Sequence, residues 1–217
     1  MPELFAGNKL RWEEKDNLGF INMNDPPENK MNATFFKELG HIANKIIPKS
    51  KVSAIIITGS GRHFSSGAEL DDLYKVVEHK KTDALIDNYS VFRKLNELQV
   101  PVIAAIRGVC IGAGFELALH CHFRLCAEDA ILALPESGFG IIPGLDGISK
   151  MLELSGKAKA MELVLTGKHF NASDAIKWQL IDRIFQKKVV FEKAIELARL
   201  SAVNYRKYNK KNYLKKL

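Results

Sequence analysis

The chain has 217 residues, with 32 basic and 25 acidic side chains for a net charge of +7, and it is 47% hydrophobic and 26% charged. That balance excludes disordered, collagen-like and coiled-coil classes and describes a chain able to bury a core without staples. At about 150 residues per domain, the length fits one large domain, or one domain with an appendage.

In chain order, residues 1–10 lack a basic leader and an apolar core, so a cytoplasmic protein is expected. Leu10 to Lys15 and Leu18 to Met23 read as two strands joined by Asp16-Asn17. Asp25-Pro26-Pro27 breaks regular structure. A helix follows, capped by Asn32 or Thr34, with Phe35, Leu39, Ile42 and Ile46 on one apolar face. Val52 to Thr58 is a β-branched run typical of a strand buried on both faces. It leads into a polar loop, Gly59 to Gly67, and a helix from about Glu69. A second helix is predicted over Asp83 to Leu98. Pro101 opens another buried strand, Val102 to Ile106, followed by a glycine loop (Gly108 to Gly114) and a short helix around Phe115 to Cys121. The apolar region Val100 to Leu119 carries Arg107, three glycines and Glu116, and so falls short of the roughly 18 uninterrupted residues of a membrane span. Strands are predicted near Phe123 to Cys126 and Ile131 to Leu134. From Gly147 the pattern is mostly helical, with a strand near Leu180 to Phe185. Strands alternating with helices point to an α/β fold with substantial parallel sheet.

The chain ends with six basic residues and no acid between Asn204 and Leu217, so the body is nearly neutral. A solvated terminal helix is the simplest reading, and nucleic-acid binding is disfavoured despite the interleaved tyrosines. Cys110, Cys121 and Cys126 form no CxxC pair and are expected to be buried thiols. The histidines lack metal-ligand spacing apart from His120-x-His122, which is read as structural, so no metal is expected. There is no full dinucleotide fingerprint and no GxSxG elbow, which disfavours a Rossmann oxidoreductase and a serine hydrolase.

Three segments carry the chemistry. Residues 61–70 lie between a buried strand and a helix, where the amides after the last glycine are free to bind an anion. Residues 112–117 repeat that arrangement and place Glu116 in a first helical turn among apolar neighbours, where desolvation should raise its pKa. Residues 134–144 put a second carboxylate, Glu136, at the end of an apolar strand. Taken singly, each also reads as an ordinary loop or cap. Together, two amide-bearing loops and two semi-buried carboxylates suit proton transfer next to a thioester carbonyl through an enolate.

With these segments the chain resembles the enoyl-CoA hydratase/isomerase (crotonase) family from about Leu10 to Ala198. The resemblance rests on FINMNDPPENKMN (20–32), GRHFSSGAEL (61–70), PVIAAIRGVCIGAGFELAL (101–119), PESGFGIIPG (135–144) and VLTGKHFNASDAI (164–176), in the family's order. It implies a spiral of ββα units with a helical C-terminal region, here shortened, divided as a core over 1–190 and a Lys-rich helical segment over 191–217. It implies a trimer or a pair of trimers acting on acyl-CoA thioesters in fatty acid metabolism, with no cofactor beyond the CoA of the substrate. The oxyanion amides would be those of Ala68 and Ala113, and the catalytic glutamates Glu116 and Glu136. CoA would lie along Lys30, Met31, Ser66, Ala68, Glu69, Leu70, Gly112 and Ala113. Both glutamates together favour hydration. The same fold also serves Δ3,Δ2-enoyl-CoA isomerases, acyl-thioester decarboxylases and non-catalytic CoA- or RNA-binding homologues. Four positions depart from the family pattern. Ala113 stands where the family more often has glycine, so the backbone N–H is kept but a methyl narrows the approach. His122 replaces an aspartate, so an ion pair is lost or replaced. Asp146 replaces a glycine and could cap the following helix. Gln179 replaces a helix-ending glycine, at a cost of about 1–2 kcal/mol if that position is left-handed.

Overall fold

A computed structural model describes residues 4–69 and 90–214, with side chains through residue 202. The helix predicted from Glu69, all but the end of the helix predicted over 83–98, and Leu70 lie outside the described residues, as do the side chains of the basic tail.

The chain opens with β1 (Phe5–Ala6), β2 (Leu10–Lys15) and β3 (Leu18–Met23). Asp16 and Asn17 both have positive φ, 53° and 61°. Two left-handed residues make the tight turn whose twist matches an antiparallel pair, so β2 and β3 pair along their whole length. Leu10 and Trp12 alternate into the core. Asn32 caps α1 (Ala33–His41), its side chain accepting from the Phe35 amide at 3.1 Å. The predicted apolar face of Phe35, Leu39, Ile42 and Ile46 is buried. It runs on through a π-helical stretch (Ile42–Ile46) and a 3-10 turn (Ile47–Lys49) that holds Pro48 in its first turn and closes where the Ser50 amide donates back to Ile46 and Ile47.

Strand β4 (Ala54–Gly59) is wholly buried and pairs in parallel with β3 on one side and with β5 (Val102–Ile106) on the other. A helical stretch, 90–96, precedes β5. Strands β7 (Phe123–Ala127) and β10 (Arg183–Phe185) extend the sheet in parallel, giving seven strands in the order β1-β2-β3-β4-β5-β7-β10. A smaller sheet is made by β6 (Val109–Ile111), β8 (Ile131–Ala133) and β9 (Phe170–Asn171). Here the structure corrects the sequence reading. Val109–Ile111, predicted as part of a loop, is a strand because it pairs in parallel with β8, more than 20 residues away in sequence.

After β6 comes α2 (Ala113–His120), every residue of which is buried. Helix α3 (Gly147–Thr166) is broken at Gly156, where φ is 75°. Helix α4 (Ala172–Lys177) ends at Gln179, which does adopt the left-handed conformation with φ of 62°. The Gln179 and Leu180 amides donate back to Ile176 and Ala175, closing the helix end. The long α5 (Val190–Leu214) crosses β4, β5 and β7 and buries Val190, Ala194 and Ala198, one small residue per turn. Among the described residues no helix is long and apolar enough to cross a membrane.

His122 replaces the expected ion pair with a neutral contact. Its Nδ1 accepts from the Val102 amide at 3.0 Å, and burial lowers its pKa to about 4. Nearby, Arg124 pairs with Asp182 at 2.9 Å. Asp146 precedes α3 in a left-handed conformation and makes no capping hydrogen bond with its side chain, contrary to the expectation. That carboxylate turns toward His120 Nε2, 3.8 Å away.

Candidate active site

Three chain segments run in parallel register at the heart of the molecule. Ser65 pairs with Cys110, and Cys110 with Leu132. Because they are in register, what leaves their carboxyl ends emerges at one level. Three residues beyond Ser65 stands Ala68, three beyond Cys110 stands Ala113, and four beyond Leu132 stands Glu136. The register therefore assembles the site.

Each candidate oxyanion amide follows a glycine that no other residue could replace without strain. Gly67 has φ of 93° and Gly112 has φ of 53° with ψ of −132°. These conformations turn the next N–H off the ladder. Among the described residues, neither the Ala68 nor the Ala113 amide donates to a protein acceptor. The two loops touch: a methyl on Gly67 would stand 3.4 Å from the Ala113 nitrogen, and one on Gly112 would stand 3.1 Å from Glu136 Oε1. The first loop is tied down by Asn29, whose Nδ2 donates to the Ser60 and His63 carbonyls at 2.9 Å, and by buried Ser65, whose hydroxyl donates to Asn29 O at 2.8 Å.

Glu116 lies in the first turn of α2 and is 2% exposed. Its Oε1 accepts from the Leu145 and Gly147 amides at 2.8 and 2.9 Å. Gly147 is required there, since a methyl would come within 2.7 Å of Glu116 Cγ. Glu136 opens a 3-10 turn (Glu136–Phe139) after β8, and its Oε2 is buried without a partner among the described residues. Burial, with the charge of Glu136 beside it, pushes Glu116 up to about 8, and burial pushes Glu136 up to about 7. Because the Glu116 value already counts a charged neighbour, the two figures describe a pair shedding its protons in succession. Burial and the charge of Glu136 outweigh the Leu145 and Gly147 amides, so Glu116 keeps the higher value, while those two donors and the unpartnered Glu136 Oε2 pull the proton the other way, and the pair holds one proton that either carboxyl can carry.

The structure thus brings Glu116, Glu136, Ala68, Ala113 and Gly112 together. Met31 is buried and brackets Ala68: its N–H donates to Gly67 O and its carbonyl accepts from the Glu69 amide, both at 2.9 Å. The Ser66 amide donates to Glu28 O at 2.8 Å. Lys30 stands at the surface, paired with Glu28 at 2.9 Å. Leu70 lies outside the described residues. His120 and His122 are engaged with Glu116 O and the Val102 amide respectively. Sequence reasoning missed Asn29, Ser65, Leu145 and Gly147. Asn29 and Ser65 are polar residues that the fold buries, a signal that single positions in a loop do not give.

The sequence model of the enoyl-CoA hydratase/isomerase family matches residues 13–213. The chain is 34% identical over 190 residues to the fatty acid oxidation complex subunit alpha of Shewanella amazonensis, a match that covers 84% of this chain and 27% of that protein, so the chain spans about a quarter of its relative. Its fold superposes on an enoyl-CoA hydratase from Bacillus anthracis with a TM-score of 0.81 at 30% identity, covering 93% of this chain and 76% of the other. A Thermobifida fusca protein solved in complex with CoA matches with a TM-score of 0.83 at 29% identity over 91% and 81% of the two chains. An enoyl-CoA hydratase structure from Geobacillus kaustophilus, at 24% identity, shows the same fold with a TM-score of 0.88, covering 93% and 77%. The chain belongs to the enoyl-CoA hydratase/isomerase family and has the crotonase fold.

Proposed function

We propose that this member of the enoyl-CoA hydratase/isomerase family adds water reversibly to 2-enoyl-CoA thioesters. The observation that carries the reading is the pair Glu116 and Glu136, both raised toward neutrality, beside the unpartnered Ala68 and Ala113 amides. One shared proton gives the site a base and an acid at once, near the pH at which proton transfer is most effective.

In this reading the thioester oxygen sits between the Ala68 and Ala113 N–H groups. The Glu116 carboxylate takes a proton from water as the water oxygen bonds to Cβ. The electron pair of the double bond moves toward the carbonyl, and the two amides stabilise the enolate. The Glu136 carboxyl gives its proton to Cα. A proton then passes from Glu116 back to the Glu136 carboxylate, and the site is restored. The relative solved with CoA supports a CoA thioester as substrate. Trimeric assembly, a role in fatty acid metabolism and the absence of any cofactor beyond the substrate's own CoA belong to the same proposal.

The test is the absorbance of the conjugated thioester with enoyl-CoAs of several chain lengths, run in solvent labelled with heavy oxygen. Loss of absorbance with label at Cβ is expected. Migration of a double bond without label would make the chain an isomerase, and wild-type turnover by Glu136→Gln would refute the assignment.

A further inference from the structure

The two amides at the centre of the site are held in unlike ways. Ala113 is fixed from within, because the Gly112 amide donates to Ala133 O at 3.0 Å and the Glu116 amide to Gly112 O at 2.9 Å. Ala68 is held by its bridge to Met31, outside both sheets, and by the Gly67 amide before it, which donates to the side-chain hydroxyl of Ser65 at 3.1 Å. What braces that bridge from the side is Glu69. Its Oε1 accepts from Lys9 Nζ at 3.0 Å and from Asn32 Nδ2 at 3.1 Å. Asn32 is the helix cap next to Met31, so one carboxylate ties the residues following Ala68 and Met31 to each other.

Lys9 reaches Glu69 from 60 residues earlier in the chain, and its backbone is held in place. The Glu38 carboxylate, on α1, accepts from the Asn8, Lys9 and Leu10 amides at 2.8, 3.0 and 2.8 Å. The Lys9 carbonyl accepts from the Asn24 amide at 2.7 Å. Its ammonium is shared with Asp25 Oδ2 at 2.5 Å, and the side chain is 14% exposed. An exposed ion pair would contribute little. Here the lysine is largely covered while Asp25 and Glu69 stay partly exposed, and the ammonium joins two carboxylates from a backbone pinned on both sides.

We infer that Lys9 is a positioning residue for the Ala68 amide, acting through the Glu69 carboxylate that it shares with Asn32. The inference rests on the hydratase reading, in which Ala68 binds the enolate oxygen.

Steady-state hydration by Lys9→Met, Lys9→Arg, Glu69→Ala and the Lys9→Met/Glu69→Ala double variant tests it. Small displacements of an oxyanion donor act on the transition state more than on binding, so Lys9→Met should lower kcat about tenfold with KM within about twofold. Lys9→Arg should recover most of the loss, and the double variant should be no worse than the worse single one. An unchanged kcat in Lys9→Met, a loss confined to KM, or additive losses would overturn the inference. If Lys9→Met fails to fold, Glu69→Ala carries the same kcat prediction. If the wild type hydrates nothing, the hydratase reading falls by itself. Lys9 is then judged by the red shift of a 2,4-dienoyl-CoA on binding, which reports polarisation of its carbonyl. A shift in the wild type that shrinks in Lys9→Met supports the role, and an absent or unaltered shift overturns it.

Discussion

Glu116 projects from a helix in which every residue is buried, whereas Glu136 opens a one-turn segment with no buried residue. The first carboxylate has two backbone donors on one oxygen; the second accepts from its own backbone amide and, among the described residues, keeps one buried oxygen without a partner. Identical side chains thereby sit in unlike surroundings within one titrating pair. Burial raises both and outweighs the amide donors on Glu116, whose value stays the higher of the two. The difference shows that burial can dominate hydrogen bonding in setting where a carboxylate titrates.

The sharpest way to break the comparison is Glu136→Gln, which keeps the shape and removes the transferable proton. Its hydration rate should fall by about 10²–10⁴, the usual contribution of a general acid, in a steady-state assay. Next comes Gly147→Ala. The new methyl would meet the Glu116 stem and push the carboxylate off its two amides. A fall in kcat of roughly 10–100-fold is expected, on the scale of an ångström of misplacement.

The pH dependence sharpens the same contrast. With the pair titrating at about 7 and about 8, the singly protonated form peaks between those values, and kcat/KM should decline on both sides. Stability follows a different course. Both folded-state values lie above the ordinary carboxyl value of 4.5, so the folded chain binds more protons than the unfolded one from there up to about 8. The contribution of these groups is fully present below 4.5 and is lost as pH rises through 7 to 8. Glu116→Gln, which keeps an acceptor for both amides, should therefore flatten that decline and raise the thermal midpoint at pH 8 relative to the wild type, on the order of 1 kcal/mol per unit of displacement removed. The smallest effect belongs to Gly138→Ala. This glycine lies two residues beyond Glu136, and a methyl there would meet nothing within 4 Å. Activity and midpoint should stay at wild-type values, and a large loss would mean that the turn around Glu136 is more constrained than its open surroundings indicate.

Much of the scaffold was legible in the residues themselves. Asp16-Asn17 between two alternating runs marked the hairpin, Asn32 marked a helix start, and the unbroken β-branched run before Gly59 marked a central strand. The glycine-flanked amides and both glutamates could be named from the order of motifs. Val109–Ile111 could not be read as a strand, because a three-residue strand owes its existence to a distant partner. Asp146 misled for a related reason. Aspartate is a good cap in general, but its left-handed backbone here turns the side chain away from the helix amides and toward His120.

What the sequence alone determined was local: where the chain turns, which faces are apolar, and that two carboxylates lie near glycines able to free an amide. These follow from steric and solvation preferences within a few residues. Only the tertiary structure decided that Ser65, Cys110 and Leu132 stand in one register, that Leu145 and Gly147 hold Glu116 while no described residue partners Glu136 Oε2, and that Lys9 reaches Glu69. Those facts depend on hydrogen bonds between segments far apart along the chain. Their partners are selected when the sheets and helices close around a common core, and no short stretch of residues contains them.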